Sequence, residues 1–85
     1  MKKKSKILEH ILTSSKNIRF SDLNKILIEY GYERRQSGTG GSHYVYSHPK
    51  VEILVVLVSH GKNDLIPEYQ VKKAVQSIKK LMGLL

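Results

Sequence analysis

The 85-residue sequence contains no cysteine and no long uninterrupted apolar segment. Without cysteine, neither a disulfide framework nor a thiolate zinc site can support the fold. The longest apolar run, Val51–Val58, is interrupted by Glu52 and is far shorter than the roughly 18 residues of a membrane helix. The apolar positions near the N-terminus are also separated by charged residues, unlike the core of a signal peptide. We therefore expect one small cytoplasmic domain, without a membrane segment, whose thin core is held by burial alone.

Acidic residues are scarce. The sequence contains 7 Asp and Glu and 15 Lys and Arg, which gives a formal net charge of +8 and a pI near 9.8. Clustered basic side chains gain affinity for phosphate backbones by releasing condensed counterions. The charge therefore predicts a polyanionic partner, and RNA, DNA and an acidic protein all remain open on this ground.

Helical periodicity marks two segments in the first third of the chain. Between Lys4 and Ser14 an apolar stripe recurs at helical spacing, formed by Ile7, Leu8, Ile11 and Leu12. A second helix is predicted over Asp22–Tyr30, with Ser21 as its N-cap. Gly31 follows at the position where a left-handed residue closes a helix. The first stripe is narrow, so its helix must dock on another part of the domain.

Three strands and a final helix are predicted to follow. The strands are Tyr32–Ser37, Ser42–Ser47 and Val51–Ser59, which are separated by a glycine loop and by a His48-Pro49-Lys50 turn. The helix begins near Pro67 and runs to about Leu81. An order of helix, helix, three strands, helix predicts an α+β domain in which helices cover one face of an antiparallel sheet.

The strand pattern also predicts which residues share a face. A turn at Pro49 and Lys50 would place His43 opposite Val56 and on the same face as His60. That face of the third strand is apolar, because it carries Leu54, Val56 and Val58. Since a single helix layer covers only one face, we expect this second face to be an exposed binding surface.

Several kinds of site are not supported by the motifs. The glycines at 38, 40 and 41 join two strands and do not lead into a helix, so they predict a hairpin loop and not a dinucleotide site. The histidines at 10, 43, 48 and 60 lack the spacing of metal ligands, and no serine lies in a nucleophile elbow. We therefore expect no metal and no small-molecule cofactor.

His43 is the strongest candidate for chemistry. It begins a strand beside the glycine loop, after the small Ser42, and the preceding strand carries Arg34 and Arg35. An exposed imidazole exchanges protons near neutral pH and can act in general acid-base catalysis. The competing interpretation from these residues alone is a structural histidine at the edge of a sheet.

From Ser21 to about Leu84 the chain resembles the HicA toxin family, also described as YcfA-like. The resemblance depends on the order and spacing of five segments. These are Gly41-Ser42-His43, His48-Pro49, Ser59-His60-Gly61-Lys62, Asp64-Leu65-Ile66-Pro67 and the helix from Val71 to Leu81. Members of this family are the RNA-cleaving halves of bacterial type II toxin–antitoxin pairs, which inhibit translation.

The resemblance implies a double-stranded-RNA-binding-domain-like α-β-β-β-α fold over residues 21–85, preceded by a basic helix and connector in residues 1–20. It also implies an mRNA endoribonuclease whose essential histidine is His43, and a HicB-like antitoxin that covers both that histidine and the apolar face. We expect Lys62, Arg34 and Arg35 to neutralise the scissile phosphate, and the side chains of Ser42 and His60 to contact RNA.

Two other functions fit the same residues. A non-catalytic RNA-binding module of this fold would recognise shape and 2′-hydroxyl groups without needing His43. A basic protein-interaction domain would instead bind an acidic partner and would not bind nucleic acid.

Overall fold

The computed structural model describes residues 6–14, 16–37, 43–59, 61 and 63–83. These residues form an α+β fold with three helices and a three-stranded antiparallel sheet of order β1-β2-β3. The elements in chain order are α1 (Lys6–Thr13), α2 (Phe20–Glu29), β1 (Glu33–Ser37), β2 (His43–His48), β3 (Val51–Val58) and α3 (Glu68–Gly83). The predicted element order and the antiparallel sheet are confirmed.

The predicted register between β2 and β3 is wrong beyond the turn. His48 pairs with Val51 as expected, but His43 lies opposite Val58 and not opposite Val56. Tyr46 and His48 are two residues apart, whereas their partners Val55 and Val51 are four apart, so β3 holds two additional residues there. An irregularity of this kind shifts every later pair along the strand. The shift places His43 opposite a residue nearer the C-terminal end of β3.

The start of α2 also differs from the prediction. Ser21 is not the N-cap, because the helix already begins at Phe20 and Arg19 occupies the cap without a side-chain hydrogen bond. The reason is a distant backbone contact: the Phe20 N–H donates to the Asp64 carbonyl at 2.8 Å. This contact satisfies one of the four backbone N–H groups that the first turn of a helix leaves without an intrahelical partner. Phe20 is buried as a consequence of this position.

The end of α2 is closed by Gly31 as predicted. Its φ of 93° lies in the left-handed region, and its N–H donates to the Ile28 carbonyl at 3.0 Å. The Tyr32 N–H donates to the Leu27 carbonyl, also at 3.0 Å. These two bonds form a Schellman motif, and the residues at its usual apolar positions, Tyr32 and Leu27, are both buried. The motif turns the chain from α2 into β1.

The helices lie against one face of the sheet, which we call the inner face. Alternation along β3 directs Val51, Val55 and Leu57 into the core, as predicted for this face. From α3, the buried side chains include Val71, Ala74, Ile78 and Leu81. The N-terminal helix α1 contributes Leu8 and Ile11 to the same core. The opposite face of the sheet has no helix layer among the described residues.

Within the described residues, none of the helices combines the length and the apolar character that a membrane crossing requires.

Candidate nucleic-acid interface

The uncovered side of the sheet, which we call the outer face, mixes aliphatic, basic and acidic side chains. The strand registers and the alternation along β3 place on it Glu33, Arg35, His43, Val45, Ser47, Glu52, Leu54, Val56 and Val58. Leu54 and Val56 remain 52% and 42% exposed. The expectation of an exposed apolar face is therefore confirmed at these two residues.

His43 lies on this outer face at the start of β2, where its side chain is exposed. Its Cα partners are Ser37 of β1 and Val58 of β3, so it sits on the central strand with a strand on each side. Among the described residues its imidazole has no hydrogen-bond partner. No described side chain therefore competes with a ligand for this ring.

The other two described histidines are bound to the backbone. In His48, Nε2 donates to the Tyr30 carbonyl at 3.0 Å, and Nδ1 accepts from the Lys50 N–H at 3.0 Å. The His10 Nε2 donates to the Lys16 carbonyl at 3.2 Å. These bonds give His10 and His48 structural roles that His43 lacks.

The two arginines of β1 point to opposite faces. Arg35 is on the outer face, where it pairs with Val45 as a diagonal neighbour of His43, at a Cα separation of about 7–8 Å. Its guanidinium lies 3.7 Å from the Glu33 carboxylate, but both side chains are largely exposed and the pair is weak. The alternation of β1 therefore brings one arginine, Arg35, to the same surface as His43.

Arg34 lies on the inner face and is not brought beside His43. Its Nη1 donates to Asn24 Oδ1 at 3.1 Å, and its guanidinium carbon lies 5.4 Å from the centre of the Tyr44 ring. The Tyr46 hydroxyl donates to the same Asn24 oxygen at 2.7 Å. Burial raises the pKa of Tyr46 to about 12, although the charge of Arg34 opposes this shift. Arg34 thus connects β1 to α2.

Side chains of α3 reach the free edge of β3. Gln70 Oε1 accepts from the Val58 N–H at 3.2 Å, and Ser77 Oγ donates to the Ile53 carbonyl at 3.3 Å. Gln70 Nε2 also donates to the hydroxyl of Tyr69 at 3.1 Å. These contacts occupy part of a strand edge that would otherwise be open to further pairing.

Sequence reasoning missed Tyr69 and Gln70. The signal was present, because Tyr69 is a large aromatic residue that falls outside the apolar stripe of α3 and is 73% exposed in the structure. The contact between Gln70 and Val58 joins residues from different elements, so local periodicity contains no information about it.

Three predicted site residues, Ser42, His60 and Lys62, lie outside the described residues, as does the glycine loop from 38 to 41. Among the residues that are described, no cluster of three or more His, Asp or Glu side chains has an arrangement that could hold a metal ion.

Comparison of the chain with protein-family models, with curated proteins and with solved structures finds no match. The resemblance to the toxin family therefore depends on the sequence motifs themselves.

Proposed function

We propose that this protein is an endoribonuclease that cleaves mRNA at the outer face of its sheet, with His43 as the catalytic residue. The observation that carries the proposal is the contrast among the histidines. His10 and His48 are bound to backbone groups, whereas His43 is exposed, without a structural partner among the described residues, and diagonal to Arg35. An exposed imidazole near a guanidinium suits proton transfer at a phosphodiester.

RNA supplies its own nucleophile for this reaction. His43 removes the proton from a 2′-hydroxyl, and the 2′-oxygen attacks the adjacent phosphorus as the bond from phosphorus to the 5′-oxygen breaks. The departing 5′-oxygen takes up a proton from water and His43 releases its proton to solvent, so the products are a 2′,3′-cyclic phosphate and a 5′-hydroxyl. Arg35 neutralises charge on the phosphate as the transition state forms. DNA lacks the 2′-hydroxyl and is not a substrate.

The motifs around His43 extend the proposal to a biological role. We infer that the chain is the toxin of a type II toxin–antitoxin pair, with the double-stranded-RNA-binding-domain-like fold of HicA proteins, acting in the cytoplasm. A HicB-like antitoxin then inhibits it by covering the outer face. The exposed Leu54 and Val56 support this, since a protein partner that buries them also blocks access to His43.

The test uses two RNAs of one mixed sequence, one unmodified and one methylated at every 2′-oxygen, each incubated with the protein in the presence of a chelator. We expect cleavage of the unmodified RNA alone, with 2′,3′-cyclic phosphate ends. Binding of the unmodified RNA without cleavage would instead identify a non-catalytic RNA-binding module. Absence of binding at low salt would contradict both and favour a basic protein-interaction domain.

A further inference from the structure

Tyr69 is an exposed aromatic side chain that is nevertheless held in place. It lies in the first turn of α3 and is 73% exposed. Its hydroxyl accepts a hydrogen bond of 3.1 Å from Gln70 Nε2, and Gln70 in turn accepts one of 3.2 Å from the Val58 N–H. Because Gln70 is buried, this chain of bonds fixes the far end of the Tyr69 ring relative to β3.

The Tyr69 ring forms one wall of an open groove of about 240 Å³ at the edge of β3. The groove is also lined by Leu54 and Val56 of the outer face and by Lys73, which lies one helical turn beyond Tyr69. An aromatic ring, an aliphatic surface and an ammonium group therefore meet in one groove. A nucleobase binds between aromatic and apolar side chains, and an ammonium group binds phosphate.

The groove is close to the proposed site of cleavage. His43 lies directly opposite Val58, and Val56 is two residues further along β3 on the same face. At about 3.4 Å per residue, this separation is roughly 7 Å along the strand. A single-stranded RNA with one phosphate at His43 can therefore place a neighbouring nucleotide in the groove.

We propose that this groove is a base-binding subsite for single-stranded RNA, in which one nucleobase stacks on Tyr69 against Leu54 and Val56 while Lys73 contacts a phosphate. The inference deepens the proposed function, on which it rests. Charge favours this occupant over a second copy of the chain, because two molecules of net charge +8 repel each other and a polyanion is attracted. Stacking is tolerant of base identity, so the subsite positions RNA without strict sequence choice.

The test measures binding of the fully 2′-O-methylated RNA, which cannot be cleaved through its 2′-oxygens. We expect Tyr69→Ala to weaken binding by about 5- to 150-fold, the loss typical of one stacked base. Tyr69→Phe keeps the stacking ring but loses the hydroxyl bond to Gln70, so it should weaken binding less than Tyr69→Ala does. Lys73→Gln should weaken binding, whereas Lys79→Gln, the matched control on the same helix, should not.

A second readout separates this subsite from the nuclease proposal. RNA carrying 2-aminopurine should lose fluorescence on binding the parent protein, because the base stacks, and should keep it with Tyr69→Ala. Unchanged affinity of Tyr69→Ala, or equal loss with Tyr69→Phe, would overturn the subsite even if RNA is cleaved. Weakened binding by Tyr69→Ala in a protein that cleaves no RNA would leave the subsite standing and would refute the nuclease.

Discussion

At the scale of single residues, hydrogen-bond chemistry distinguishes His48 from His43. A carbonyl only accepts and a backbone N–H only donates, so the two bonds of His48 require a proton on Nε2 and a lone pair on Nδ1. Both ring nitrogens are therefore used by the backbone of Tyr30 and Lys50. His43 has no such bond among the described residues, so none of them competes with a substrate for its nitrogens.

The stability of the protein at high pH tests the burial of one residue on the inner face, Tyr46. Burial raises the pKa of Tyr46 to about 12, whereas an unfolded tyrosine titrates near 10. The folded state thus holds the phenol proton more tightly, so this contribution to stability is complete below about pH 10 and is lost as the pH rises to about 12. Tyr46→Phe removes this pH-dependent contribution to stability. It also removes a hydrogen bond to Asn24 worth about 1 kcal/mol.

We therefore expect Tyr46→Phe to be less stable than the parent at pH 9 and the gap to shrink at pH 11. Urea unfolding of both proteins at the two pH values measures the gap directly, and the other titrating groups are common to both. A gap that stays constant between pH 9 and pH 11 would show that Tyr46 is not buried as described.

At the scale of elements, periodicity predicted the helices and strands because each depends on residues close in sequence. The Schellman ending at Gly31 is local in the same way and was also predicted. The start of α2 at Phe20 was not, since it depends on the carbonyl of Asp64, a residue more than forty positions away. The irregular pairing between Tyr46 and His48 was likewise not predicted. A shift of two residues leaves the alternation of side chains along β3 unchanged, so the sequence pattern does not distinguish the two registers.

Gly31 gives an element-scale prediction with an internal control. A side chain at Gly31 meets left-handed backbone strain, and its Cβ would lie 3.2 Å from His48 Nε2. We expect Gly31→Ala to cost about 1–2 kcal/mol, and a domain of this size loses about 4–8 °C of melting temperature per kcal/mol. Gly83→Ala is the control, because nothing lies within 4 Å of the added Cβ. Equal melting temperatures for the two variants would contradict the Schellman assignment.

The candidate site was predicted in part. Strand alternation identified an apolar outer face that shares a surface with His43. It could also have separated Arg34 from Arg35, because neighbouring residues of a strand point to opposite faces. Lys73 and Tyr69 join this surface only because α3 packs along β3, which is a consequence of tertiary structure.

At the scale of the whole molecule, basic side chains differ in where they lie relative to the outer face. Arg35 lies on the outer face beside His43, whereas Lys25 lies on α2, on the side of the sheet that the helices cover. The affinity for RNA should therefore depend on where a charge lies and not only on the total of +8.

This asymmetry is measurable as a salt dependence. The logarithm of the association constant for single-stranded RNA should fall linearly with the logarithm of salt concentration, with a slope of about −0.7 for each phosphate contact. Arg35→Gln should make the slope shallower by about 0.7, and Lys25→Gln should leave it unchanged although both variants lose one charge. Equal slopes for the two variants would show that the charge acts without regard to the outer face.

The central claim is that His43 transfers the proton in RNA cleavage, and the most direct measurement is the cleavage rate of His43→Ala beside that of His10→Ala. General acid-base catalysis is worth about 10² to 10⁴ in rate, so we expect His43→Ala to lose about that factor while keeping its affinity for 2′-O-methylated RNA and its melting temperature. Added imidazole should restore part of its rate. His10→Ala should cleave like the parent protein. A His43→Ala variant that cleaves RNA at the parental rate would contradict the claim.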